Sequence, residues 1–330
     1  MKRLFVVASL AIMAVACQKE EVRNEVLTPI GFNTETGKQT RAIQPTNDGY
    51  TDNFGVFSYL YNAGEAGQLV MNNQKVTSQG QTVDNNGDAV AYYWPNDPDN
   101  HLNFYAYSPF NVGNVSMATE GTLKLTDYVH TNYSGTAAVD FMVATAVTNA
   151  KFAGEYTVGT TKKTYGEGVP TVFHHEMTQV IFKVKTSFTG GTITLKSITL
   201  KDIVNKATYE GTNAAIGQLS NWTPAATGGT GTYVLEIPNE TVTSDGVTTT
   251  EVTMIPQTLA AQNFTITYEI NINNVVEKVS KDFTFAAATD AIAAWEPNKK
   301  VTYTLAVGLN SISFIPSVDS WDDQAGSYSF

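Results

Sequence analysis

The chain has 330 residues, of which 42% are hydrophobic and only 15% charged, and its formal net charge is −11. That length sets a prior of about two domains with ordinary cores. The acidic balance leaves no basic face for nucleic acid or anionic lipid, and no apolar run reaches the length of a membrane-spanning helix.

At the N-terminus, Lys2 and Arg3 precede an apolar stretch over residues 4–15. Such a stretch is too short to cross a bilayer but fits a signal peptide over residues 1–16. It ends in Ala14-Val15-Ala16-Cys17, small residues before a cysteine, which resembles a lipobox with Ala14 in the place usually held by Leu. Cys17 is the single Cys in the chain, so it has no disulfide partner within it, and lipidation is its expected role. A diacylglycerol on that thiol supplies two chains, enough for stable attachment. Removal of residues 1–16 takes away Lys2 and Arg3 and moves the net charge from −11 to −13. The tract Gln18-Lys19-Glu20-Glu21 resembles the surface-export signal of Bacteroidetes lipoproteins. The expected location is the outer face of an outer membrane.

Strand signals follow. Val26, Thr28, Ile30 and Phe32 share one period-two phase, which predicts a half-buried strand. Around Arg41, residues 34–40 and 43–49 are polar and lack strand patterning, as an exposed, protease-accessible loop does. Leu102, Phe104 and Ala106 lie on one face of a strand, with Asn103, Tyr105 and Tyr107 on the other. Ile193 and Leu195 share one phase, and Ile198 and Leu200 the other, which predicts a bulge near Lys196-Ser197. Phe264, Ile266, Tyr268, Ile270 and Ile272 give the cleanest alternation. Tyr303, Leu305, Val307 and Leu309 give another strand, and Ile312 with Phe314 a third. Turn clusters such as Asp84-Asn85-Asn86-Gly87 and Asp245-Gly246 separate the runs. No helical stripe exceeds about two turns. The class is all-β, built of antiparallel sandwiches. The polar segment 160–168 reads as the boundary between an N-terminal domain, 42–168, and a C-terminal one, 169–330, with a tether and first strand over 17–41.

Tracts that suggest chemistry have structural readings that fit better. His174-His175-Glu176 lacks the second His of the zincin helix, since Gln179 stands there, and in a strand the two imidazoles point to opposite faces. Asp84, Asp88, Asp97 and Asp99 match no calcium-loop spacing and suit polar turns. The segment from Gly31 to Lys38 has one residue too many for a P-loop and Gln39 where Ser or Thr belongs. No nucleophile elbow is present. We therefore expect no enzyme, no metal site and no cofactor. Tyr92, Tyr93, Trp94, Trp222, Trp295 and Trp321 are available to stack on sugars, although aromatic residues in sandwiches more often fill cores.

Several motifs, in order, resemble the fimbrillin-like surface proteins of the Bacteroidales. They are Ile30-Gly31-Phe32 with Gly37-Lys38-Gln39-Thr40-Arg41-Ala42, Phe54-Gly55-Val56-Phe57, Tyr93-Trp94-Pro95 and the run from Leu102 to Ser108. Further on come the run from Asp140 to Ala144, Val172-Phe173-His174-His175, Ile255-Pro256-Gln257, Trp295-Glu296-Pro297 and Val318-Asp319-Ser320-Trp321. The resemblance covers residues 28–324. It implies two transthyretin-like β-sandwich domains in tandem, in a lipid-anchored fimbrial subunit or adhesin. It also implies that an arginine-specific protease cuts at Arg41-Ala42 and removes the first strand (Val26, Ile30, Phe32), and that a strand from another subunit fills the groove.

The physics is consistent with that scheme. An emptied groove exposes strand edges and is an aggregation hazard until it is filled. Fully burying each large apolar side chain contributes about 1.5–3 kcal/mol. The donor is not evident. Residues 322–330 offer only Tyr328 and Phe330 in phase, and Ile312-Ser313-Phe314 reads as a strand of its own domain. The alternative function is a surface lipoprotein that captures glycans through exposed aromatics.

Overall fold

The computed structural model describes residues 28–35, 52–62, 64–135, 138–151, 155–158, 161–164, 168–212, 215–309 and 311–321. Among the described residues strands dominate, and helical structure is confined to short 3-10 turns such as Leu219–Asn221 and Phe285–Ala287. Among the described residues no helix is long and apolar enough to cross a membrane.

A ten-stranded sheet organises the first part of the chain. Its main path runs Phe32–Glu35, Val169–His175, Met142–Ala144, His101–Ser108, Phe54–Tyr61, Gln68–Val76 and Thr82–Val83. Strand His101–Ser108 shows why the sheet sits in the middle of its layers. Leu102, Phe104 and Ala106 enter a core with Phe54, Val56, Trp94 and Phe173. Tyr105 and Tyr107, on the opposite face, enter a second core with Phe57, Phe141, Leu123 and Leu125. The covering layer on that second face is a four-stranded sheet of Trp222–Pro224, Lys206–Thr212, Thr122–Val129 and Asn114–Thr119.

The second part is a sandwich of two sheets. One contains Val247–Thr248, Thr178–Lys185, Lys299–Val307 and Ile312–Ser320, with Val252–Met254 also paired to Thr178–Lys185. The other contains Thr230–Thr241, Thr192–Val204, Asn263–Ile272 and Val275–Thr284. Phe182, Leu195, Phe264, Ile266, Trp295, Tyr303, Leu305 and Phe314 meet between them. The bulge expected near Lys196-Ser197 is present as a register shift between Leu195 and Ser197 against both neighbouring strands. Leu309, placed by its phase in the strand beginning at Tyr303, lies beyond that strand's end and is exposed.

Strand pairing adds two features to the all-β sandwich architecture. The sheets are not wholly antiparallel: Phe32–Glu35 runs parallel to Val169–His175, and Thr178–Lys185 runs parallel to Lys299–Val307. The cut at 168/169 also falls inside the first sheet, because Val169–His175 pairs there with both Phe32–Glu35 and Met142–Ala144. The chain then passes to the second sandwich at Thr178, yet strand Lys206–Thr212 returns to pair with Thr122–Val129 and carries Trp222–Pro224 on its other edge. Alternation of side chains tells which face of a strand is buried but not which strand lies beside it.

Candidate functional site

The first strand and the residues before it are held by two partners in turn. Thr28 to Ile30 run antiparallel to residues 92–94: Ile30 donates its N–H to Tyr92 O at 2.7 Å, and Trp94 donates to Thr28 O at 3.0 Å. At Gly31 the chain changes partner. Val169 donates its N–H to Gly31 O at 2.7 Å, and Phe32–Glu35 continues in parallel register with residues 169–172. Pro170 fits this pairing for a specific reason. Odd-numbered Val169 points its N–H at the first strand, whereas Val172 O accepts the N–H of Thr145 on the opposite side. The N–H that Pro170 lacks would thus have pointed away from the first strand.

Side chains complete the seat. Ile30 and Phe32 are each only 6% exposed, while Pro29 before them and Asn33 after them face solvent, so the period-two phase is kept. The Phe32 ring meets Phe54 edge-on at 5.9 Å and Phe104 at 5.7 Å. Trp94 packs edge-on against Phe104 at 5.9 Å, and Phe54 against Phe173 at 5.4 Å. Tyr92 lies at the margin, its hydroxyl donating to Gln74 Oε1 at 2.8 Å, and burial raises its pKa. Burial of these two plugs alone is worth about 3–6 kcal/mol. The seat is lined by apolar rings and backbone, so its chemistry is that of holding a strand.

Two glycines permit this close approach. Gly80 and Gly168 both sit at φ +80, and a Cβ on Gly80 would lie 1.8 Å from the Phe32 carbonyl oxygen. A Cβ on Gly168 would meet Asn33 N at 3.1 Å. Neither residue stands out in the sequence. Gly80 carries only the mark of a turn, in Thr77-Ser78-Gln79-Gly80, with no sign of what the turn touches.

Of the residues singled out from the sequence, Ile30 and Phe32 are therefore brought together in one groove. Val26, Cys17, Arg41 and Ala42 lie outside the described residues. Ile312 and Phe314 belong to a strand paired along its length with Lys299–Val307, and Phe314 is buried in the second core.

The metal-like tract resolves into two separate contacts. His174 Nε2 meets Thr145 Oγ1 at 2.9 Å, whereas buried His175 places Nδ1 2.7 Å from Asp140 Oδ2 and stacks on Trp321 at 3.9 Å. Among the described residues no three His, Cys, Asp or Glu cluster as metal ligands would. Asp84 Oδ1 accepts the N–H groups of Asn86 and Asp88, and Asp97 Oδ1 that of Asp99, which is turn chemistry. The aromatic candidates for sugar stacking are mostly core. Trp94, Trp222, Trp295 and Trp321 are all buried, and only Tyr93 of that set is exposed. Trp295 Nε1 donates to Tyr303 Oη at 3.0 Å and Trp222 Nε1 to Glu176 O at 2.8 Å, which satisfies their polar edges inside. The glycan-binding alternative loses its tryptophans.

Taken together, these features define an all-β protein of packed sheets with a strand-filled apolar groove. More particularly, the chain belongs to the fimbrillin-like family, whose model matches residues 40–321. No curated protein matches it significantly. Among solved structures, a fimbrial protein from Bacteroides vulgatus is similar with a TM-score of 0.57 at 16% identity, over 89% of this chain and 99% of that one. A candidate cell adhesion protein from Bacteroides uniformis gives 0.54 at 18% identity, over 89% and 98% of the two chains. Another from Bacteroides ovatus gives 0.55 at 15%, over 91% and 99%. At such identities the likeness is one of fold.

Proposed function

We propose that this chain is a surface fimbrial subunit or adhesin, held to the outer membrane by lipid at Cys17 and assembled by strand replacement after cleavage at Arg41-Ala42. The observation that carries the reading is the seat of Ile30 and Phe32. Two buried side chains and a short hydrogen-bonded segment fill an apolar groove, and Arg41 follows six residues after the strand ends at Glu35. Among the described residues the next strand after Glu35 begins at Phe54, so a cut at that point lies between the plug and the strands that form its groove. The vacated groove then presents aromatic walls and open ladder groups that only another extended segment satisfies. The partner is another fimbrial subunit, and the role is structural and adhesive rather than catalytic. Membership of the fimbrillin-like family supports the same reading.

Two variants test its two halves. Arg41→Ala should preserve folding and anchoring while abolishing SDS-resistant ladders formed in the presence of an arginine-specific protease. Identical ladders from wild type and variant would overturn assembly by this route. Cys17→Ser should move the protein out of the membrane fraction or leave the precursor unprocessed. Unchanged membrane partition together with an unmodified N-terminal mass would refute the anchor.

A further inference from the structure

The turn between strands Gln68–Val76 and Thr82–Val83 is closed by its own backbone. Thr77 donates its N–H to Gln81 O at 2.8 Å, Gly80 donates to Thr77 O at 2.9 Å, and the Gln81 N–H reaches Thr77 Oγ1 at 3.3 Å. A turn fixed in this way offers its remaining carbonyls outward, and two of them meet the first strand. Gly80 O accepts the Phe32 N–H at 3.0 Å, and Ser78 O accepts the Thr34 hydroxyl at 3.4 Å. With no Cβ at position 80, the turn rests directly on the Phe32 backbone. Strand Phe32–Glu35 is outermost in the hydrogen-bonded order of its sheet, yet it is clasped on both sides, by residues 169–172 and by this turn.

We propose that the 77–81 turn is a latch that fixes the register of the segment in this groove, and that it selects a replacement from another chain with an aliphatic residue, an aromatic residue two positions on, and a free N–H at both. The selection of a replacement rests on the strand-exchange reading above. The requirements come from the contacts. The N–H groups of Ile30 and Phe32 are spent on Tyr92 O and Gly80 O, so proline is rejected at either position, whereas Pro29 is accommodated. The second pocket, walled edge-on by Phe54 and Phe104, suits a flat ring. Within this chain Ile312-Ser313-Phe314 repeats the spacing, but it is committed to its own sheet. Pro316 also stands where the Thr34 hydroxyl would reach Ser78. That strand is not the occupant.

Amide hydrogen exchange on the intact chain tests the latch. Gly80→Ala should speed exchange at Phe32 by about tenfold or more, as loss of one buried hydrogen bond requires. Exchange at Phe264, in the second core, should keep its wild-type rate. Unchanged exchange at Phe32 overturns the proposal. A second measurement avoids any folding defect in the variant. Wild-type protein cut at Arg41 is offered a synthetic peptide of residues 26–36, or the same peptide N-methylated at Phe32. The methylated peptide keeps the ring, loses the donor and turns a methyl toward the Gly80 carbonyl, and it should bind at least about tenfold more weakly. Equal binding of the two overturns the latch. If Gly80→Ala speeds exchange but the unmodified peptide never enters, the latch holds the chain's own strand and the strand-exchange reading falls.

Discussion

Phe32→Ala should cost the first sandwich about 3–5 kcal/mol, the usual range for deleting a fully packed aromatic ring. The ring is 6% exposed and touches Phe54 and Phe104 edge-on, so its removal leaves a cavity between walls that belong to different strands. Those walls cannot collapse freely, because Phe54 also packs on Phe173 and Phe104 on Trp94. The strand itself should loosen, since Ile30 alone then holds its apolar side. Denaturant titration read through Trp94 gives the measurement, because the Trp94 N–H is bonded to Thr28 O and so reports on the seated segment. Leu69→Ala, at a side chain 45% exposed, is the control and should change stability by less than about 0.5 kcal/mol. A loss below about 1 kcal/mol for Phe32→Ala would show that the groove does not depend on its plug.

Some of this site was legible in the sequence, and physical reasons separate those parts from the rest. Ile30 and Phe32 announce themselves because a strand with one face in a core must alternate, and the same rule finds Asn263–Ile272 and the bulge between Leu195 and Ser197. The rule is silent on neighbours. Nothing in the run from Val169 to His175 says that it lies parallel to the first strand, and nothing in Lys206–Thr212 says that it leaves its own half to pair with Thr122–Val129. Burial on both faces was equally hidden. Tyr105 and Tyr107 carry hydroxyls that suit a solvent face, yet both are buried. Their hydroxyls are satisfied by Glu120 Oε1 at 3.0 Å and Asn73 Oδ1 at 2.6 Å, partners that come from other strands and turns. The tryptophans followed the same logic. Gly80 was invisible for a different reason, since what it contributes is an absent atom at a contact 48 residues distant in the chain from Phe32.

Acid should destabilise the protein mainly through His130. The residue follows strand Thr122–Val129 and ties the two halves of the chain together. Its N–H donates to Asn205 O at 2.8 Å, its carbonyl accepts the Tyr233 hydroxyl at 3.0 Å, and its Nε2 lies 2.7 Å from Thr253 O. A carbonyl partner requires that Nε2 carry the proton, which leaves Nδ1 to accept the Tyr128 hydroxyl at 2.9 Å. The neutral ring is thus fully used, and a second proton would have to displace the Tyr128 donor. Burial pushes the His130 pKa down to about 4, against opposing contributions from the Thr253 carbonyl and the charge of Asp140. The unfolded chain takes up that proton near the ordinary value of 6.5. Between those two values the unfolded state binds more protons than the folded one, so stability is full above about pH 6.5 and falls as the pH drops toward 4. The loss approaches about 3 kcal/mol once both states are protonated. His101, also lowered by burial and by Lys151, acts in the same direction. His130→Gln keeps an N–H for Thr253 and removes the titration. Its stability at pH 7 should fall modestly, while most of the slope between pH 6.5 and 4 should vanish in denaturant titrations at stepped pH. If wild type and His130→Gln lose stability in parallel over that window, the proton-sensitive tie between the two halves lies elsewhere.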